Sequence, residues 1–210
     1  IDAQYKFGLK NPSSLKLLLL VNLVVFLLIT KLHASEQTIQ EMFIGNKDAP
    51  VTLIEYASFT CPHCAEFHLN VMPLIKNEFI DSGKLKLIYR EIYFDGPGLW
   101  AGLLARCKGA GKYFGMVSLL YNKQESWAKG NKPQDFIDGL LSVGRQAGIS
   151  DEDSMACMRN DNKAEELVKL FQSNSLEDNI TSTPSLVLNG VLLQNIPYEE
   201  LNEKIKKLLR

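Results

Sequence analysis

Residues 51–64 read VTLIEYASFTCPHC, and this stretch decides how the rest of the chain is understood. Residues 51–59 are rich in β-branched and aromatic side chains and predict a buried strand. Thr60 then stands where a helix N-cap belongs. Glu66, Phe67, Leu69, Val71, Met72, Leu74, Ile75 and Phe79 continue at helical spacing, with Pro73 expected to kink that helix rather than end it. Ser82-Gly83 closes the helix, and residues 85–94 (LKLIYREIYF) predict a second strand. Strand, helix, strand is the pattern of a parallel pair with a crossover helix, an α/β arrangement.

The two cysteines of this stretch sit at the junction of strand and helix. A sulfur at the start of a helix meets unpaired backbone N–H groups and the positive end of the dipole, conditions that favour thiolate. His63 adds to that stabilisation when protonated or donating a hydrogen bond. Pro62 suits the first helical position because its missing N–H removes no helical bond. A stabilised Cys61 thiolate favours the reduced protein and makes Cys61 a good leaving group, so the Cys61–Cys64 disulfide should be oxidising. Cys64, one turn further in, is the expected resolving partner. A purely structural disulfide, a zinc half-site and a pair of inert thiols are the alternatives. The small ring, the lack of a second CxxC or HxxxH, and the export expected below weigh against them.

Outward from this unit, residues 98–174 are mostly helix-forming, with breaks near Gly109–Gly111, Gly130–Pro133 and Gly148–Asp151. Ser150 ahead of Asp151 and Glu152 reads as an N-cap. Residues 185–188, an Asn189-Gly190 turn and residues 191–194 predict a hairpin, followed by an amphipathic helix after Pro197. The expected organisation is residues 35–97, a helical insertion over 98–174, and residues 175–210 completing the first part. Residues 35–50 read as a short polar lead-in. His68 is expected at the surface, while Trp100, Trp127, Tyr113, Phe114 and Tyr121 are expected to pack the insertion.

Composition limits the function classes. The chain has 210 residues, 46% hydrophobic and 22% charged, with a net charge of −1 and no basic stripe for nucleic acid or polybasic membrane patch. No glycine-rich phosphate loop occurs. Lys6, Lys10 and Lys16 precede an apolar run over residues 17–29, shorter than the ~20 residues that span a bilayer. Residues 1–34 therefore read as a secretory signal peptide cut after Ala34, with an uncleaved anchor as the alternative. In an exported chain, four cysteines (Cys61, Cys64, Cys107 and Cys157) point to disulfides, with three pairings open on spacing alone.

The segment 55–64 (EYASFTCPHC), together with residues 183–190 (TPSLVLNG), resembles the DsbA family of periplasmic thiol–disulfide oxidoreductases. The resemblance runs from Val51 to the C-terminus and implies a thioredoxin fold interrupted by an inserted helical domain. It implies that Pro184 forms a cis peptide bond beside the catalytic pair and that Thr183 and Pro62 face the substrate. Glu55 matches a buried acid that handles the resolving cysteine's proton, and Cys107–Cys157 matches an extra structural bridge. The Pro62-His63 dipeptide is typical of oxidising members, whereas Thr at 183 also occurs in isomerase relatives. The implied activity is a monomeric dithiol oxidase acting on reduced exported proteins, reoxidised by a DsbB-like membrane partner and needing no cofactor. An isomerase or reductase of the same fold, or a binding module stapled by disulfides, are the rival functions.

Overall fold

The computed structural model describes residues 39–193 and 196–210. The proposed signal peptide and its cleavage site lie outside the described residues. The sheet has five strands in the order β1-β3-β2-β4-β5: β1 (Met42–Ile44), β2 (Val51–Ala57), β3 (Leu85–Glu91), β4 (Ser185–Leu188) and β5 (Val191–Leu193). β2 and β3 run parallel from Val51↔Leu85 to Ala57↔Glu91, as the βαβ reading requires. β4 lies antiparallel on the other side of β2, from Leu53↔Leu188 to Tyr56↔Ser185. The Asn189-Gly190 turn joins β4 to β5 with both residues at positive φ, 46° and 82°. Both long strands stop short of their expected ends, at Ala57 and Glu91 rather than residues 59 and 94. β1 was not expected at all. It spans three residues within the polar lead-in and pairs antiparallel with β3.

The redox helix is continuous but not uniform. α1 (Pro62–Glu66) passes into a π-turn (Phe67–Val71), α2 (Met72–Ile75) and a second π-turn (Lys76–Ile80). Pro73 explains the first widening. It has no N–H to donate, and its ring crowds the carbonyl one turn back, so the chain opens to the wider spacing in which the Met72 N–H reaches the Phe67 carbonyl. The expected kink is taken up as a π-turn.

The helical block comprises α3 (Gly96–Ala105), α4 (Ala110–Asn122), α5 (Gln124–Trp127), α6 (Pro133–Gln146), α7 (Asp151–Met158) and α8 (Asp161–Glu177), and α9 (Tyr198–Leu208) closes the chain. Ser150 caps α7 by accepting from the Asp153 N–H at 3.1 Å.

Alternation along β2 sorts the core. Val51 and Leu53 face the redox helix and α9, packing with Ile75, Phe79, Leu201 and Ile205. Ile54 and Tyr56 face the other way, against Phe171 of α8. A further cluster, from Ala57, Phe59 and Tyr89 through Leu104, Tyr113 and Leu120 to Trp127, joins the sheet to the helical block. Its polar centre is a buried ion pair. Arg106 at the end of α3 donates to both Glu91 oxygens at 2.8 and 2.7 Å, and the Tyr113 hydroxyl donates to Glu91 at 2.7 Å. The Cys107–Cys157 disulfide, with Cα atoms 5.6 Å apart, ties the end of α3 to α7.

Candidate redox site

Cys61, not Thr60, occupies the N-cap of α1, with φ −82° and ψ 119°. The Thr60 hydroxyl instead donates to Asp95 at 2.8 Å, while the other Asp95 oxygen caps α3 through the Gly98 N–H at 2.7 Å. Pro62 takes the first helical position and is exposed. Cys61 is partly buried and Cys64 fully so; both are free thiols. The sheet register brings the distant proline to them. Because Ser185 pairs with Tyr56, the residues just before β4 lie beside the turn that follows β2. The Thr183–Pro184 bond is cis, Pro184 is buried, and the Cys61 thiol donates to the Thr183 carbonyl at 3.5 Å.

These contacts make the two sulfurs chemically different. The Cys61 thiol is lowered to about 5: a hydrogen bond from Cys64 holds its anion, and the Thr183 side chain and the backbone N–H groups of Cys64 and His63 add to it, against the cost of partial burial. Cys64 is pushed far up, first by its hydrogen bond to Cys61, then by burial and by the neighbouring charge. At neutral pH the pair therefore holds one anion, on the outer sulfur. The bond from the Cys61 thiol to the Thr183 carbonyl belongs to the neutral form and does not support the anion. His63 contributes its backbone N–H; its ring is exposed, with Nδ1 3.7 Å from Glu66.

Glu55 is 0% exposed, and neither carboxylate oxygen has a hydrogen-bond partner among the described residues. Burial pushes its carboxyl up to about 8, so it is largely protonated at neutral pH. His68 is not the surface residue expected. Its ring lies 4.9 Å from that of Tyr121, Nε2 is 3.1 Å from the Ser118 hydroxyl, and Nδ1 is buried. Burial lowers it to about 4, keeping the imidazole neutral. Among the described residues no three His, Cys, Asp or Glu side chains converge as metal ligands would.

The thioredoxin family model matches residues 37–207, the sheet and helical block together. The chain belongs to the thioredoxin family. Within that family it is DsbA-like: the crystal structure of Wolbachia pipientis alpha-DsbA1 superposes with a TM-score of 0.74 at 26% identity, covering 80% of this chain and 90% of that one. A Rickettsia typhi protein assigned by name to the protein-disulfide oxidoreductases is 31% identical over 170 residues, 80% of this chain and 62% of that protein. Disulfide bond formation protein D of Bacillus subtilis is 27% identical over 175 residues, 80% of this chain and 76% of that protein. The chain thus spans about three fifths of the Rickettsia relative. Its architecture is a thioredoxin fold with an inserted helical domain, as the resemblance implied.

In this DsbA-like chain the insertion also braces the redox turn, which its sequence does not announce. Gln124, at the start of α5, donates its side-chain N–H groups to the carbonyls of Phe59 at 2.8 Å and Cys61 at 3.0 Å. The Tyr121 hydroxyl donates to the Ser58 carbonyl at 3.2 Å and sits 2.6 Å from that of Tyr89. Trp127 packs the insertion as expected, its indole N–H on the Leu120 carbonyl at 2.7 Å. A polar glutamine among helix formers carries no sequence signal of this role. Asp95 ahead of Gly-Pro-Gly could have been found as an N-cap.

Proposed function

We propose that the chain is an exported dithiol oxidase that donates the Cys61–Cys64 disulfide to folding proteins. The observation that carries this reading is the asymmetry of the two thiols, Cys61 held as an anion and Cys64 held as a thiol. A substrate thiolate attacks the Cys61 sulfur, the bond to Cys64 breaks, and a mixed disulfide forms with Cys61. A second substrate thiolate attacks the substrate sulfur of that bridge, and Cys61 leaves as the stable anion. The oxidised substrate departs and the reduced protein remains. Stabilising the leaving anion makes this direction downhill.

In this reading Cys61 and Cys64 are the reacting groups, and His63 supports the thiolate through its backbone. Pro184, Thr183 and Pro62 border the approach of an extended substrate, and Glu55 supplies the proton that Cys64 needs. A groove of about 350 Å³ beside the pair, bordered by His63, Phe67, Pro184 and Tyr198, offers room for a peptide segment. The protein works as a monomer outside the cytoplasm, delivered there by residues 1–34, and a DsbB-like membrane partner reoxidises it.

Oxidation of reduced ribonuclease tests the reading. The oxidised protein should restore ribonuclease activity stoichiometrically, and Cys61→Ser should abolish the transfer. Transfer that survives Cys61→Ser contradicts it. Thr183 favours one rival, an isomerase; greater activity on scrambled than on reduced ribonuclease would select it.

A further inference from the structure

A cleft of about 510 Å³ opens between the redox helix and α4. Glu55 and Tyr89 line it from the sheet, His68 and Lys76 from the redox helix, and Ser118 and Asn122 from α4. Two of these side chains carry buried polar atoms without a protein partner: both oxygens of Glu55 and Nδ1 of His68. Buried polar groups are paired in the large majority of cases; Tyr93, Ser154 and Ser175 also carry an unpaired one, but none of them lines this cleft, where two such groups meet and need an explanation. Lys76 does not supply it, because its ammonium is bonded to Asp81 at 2.6 and 2.8 Å. Tyr89 does not either, since its hydroxyl is paired with that of Tyr121.

We infer that this cleft is the proton port of the redox site and that His68 relays protons between solvent and Glu55. The inference rests on the oxidase reading above and extends it to a residue that reading does not use. When a substrate thiolate attacks Cys61, the Cys61–Cys64 bond breaks and its electron pair leaves on the Cys64 sulfur. Cys64 takes a proton from the Glu55 carboxyl. Glu55 is left as a buried carboxylate without a partner, an expensive state that must be relieved before the next turnover. His68 returns a proton to it through water in the cleft, Nδ1 releasing a proton as Nε2 takes one up from the Ser118 side, so the ring stays neutral and solvent at the mouth supplies the proton. One proton is taken up for each mixed disulfide formed, and no oxidant beyond the enzyme disulfide is needed.

His68 suits the task because it is neutral. A neutral imidazole has one nitrogen to give a proton and one to take it. The Ser118 hydroxyl, 3.1 Å from Nε2, fixes the ring with Nδ1 inside the protein. Tyr121, against which the ring packs, is pushed far up by burial, so its hydroxyl stays protonated beside the relay.

The test is single-turnover reduction of the oxidised protein by dithiothreitol, quenched with acid and read by mass. His68→Phe keeps an aromatic ring against Tyr121, and His68→Gln serves if the phenyl variant does not fold. Either should slow the reaction about tenfold, the low end of a proton-transfer contribution. Added imidazole should restore the rate, with the Cys61 thiolate titration unchanged. Wild-type rates in these variants, or a loss that imidazole does not restore, overturn the relay. Glu55→Gln should slow the reaction similarly, and the double variant should be no slower. If only Glu55→Gln slows it, His68 has no part in the path. A wild-type Cys61 that titrates as an ordinary thiol would fail the oxidase reading itself, a separate result.

Discussion

Two residues of the site owe their properties to what surrounds them rather than to their own chemistry, and each predicts something measurable. Glu55 is buried and protonated, with its carboxyl near 8 against an unfolded value near 4.5. A raised acid binds more protons folded than unfolded across that window, so its contribution to stability is present below pH ~4.5 and is lost as pH rises through 8. With the disulfide closed, so that Cys61 does not titrate, Glu55→Gln should lose less stability than wild type between these limits. The relative gain should reach a few kcal/mol at pH 8, measured by urea unfolding at several pH values; parallel curves would show that Glu55 ionises normally. Gln124 predicts a different change. Its two bonds hold the Phe59 and Cys61 carbonyls and hence the turn that aims the His63 and Cys64 N–H groups at sulfur. Gln124→Ala should raise the Cys61 titration midpoint by about one unit, in keeping with loss of hydrogen bonds worth ~1 kcal/mol each. An unchanged midpoint would limit Gln124 to packing.

At the scale of elements, the Cys107–Cys157 bridge closes a loop of 50 residues between α3 and α7. In the chain-entropy picture such a loop is worth about 4 kcal/mol. Cys107→Ala with Cys157→Ala should lower unfolding stability by a few kcal/mol in denaturant titration while still transferring a disulfide; full loss of transfer would mean that the bridge shapes the site. The elements were legible in proportion to how local their causes are. The parallel β2–β3 pair, the Asn189-Gly190 hairpin and the Ser150 cap each follow from neighbouring residues and appeared where expected. β1 was missed because its three residues owe their strand state to pairing with β3, and the polar segment around them carries no alternation to reveal it. Thr60 was misplaced by one position because its hydroxyl is claimed by Asp95, 35 residues away. Long-range pairing also explains Gln124, His68 and the Arg106–Glu91 pair, none of which has a local pattern. Cys61, Cys64 and the Thr183–Pro184 bond, by contrast, could be named from two short motifs.

For the whole molecule, the sheet and the helical block behave as one body because their contact is polar at its centre as well as apolar around it. Arg106, 3% exposed in its side chain, and Glu91, 5% exposed, form a bidentate pair roofed by Tyr113. Removing one partner leaves a buried charge unpaired, which costs about 3–5 kcal/mol. Arg106→Met should therefore destabilise the protein by that amount, and replacing Glu91 as well should recover part of the loss, seen by thermal or urea unfolding. A double-variant loss equal to the sum of the two single losses would show that the pair carries no coupling. Through this joint the insertion holds Gln124 and Tyr121 against the redox turn, so the second half of the chain helps set the acidity of a sulfur in the first. The most direct test of that acidity is thiolate absorbance of the reduced protein followed against pH. Cys61 should titrate with a midpoint near 5, and the signal should disappear in Cys61→Ser. A midpoint near the ~8.5 of a free thiol would contradict the account.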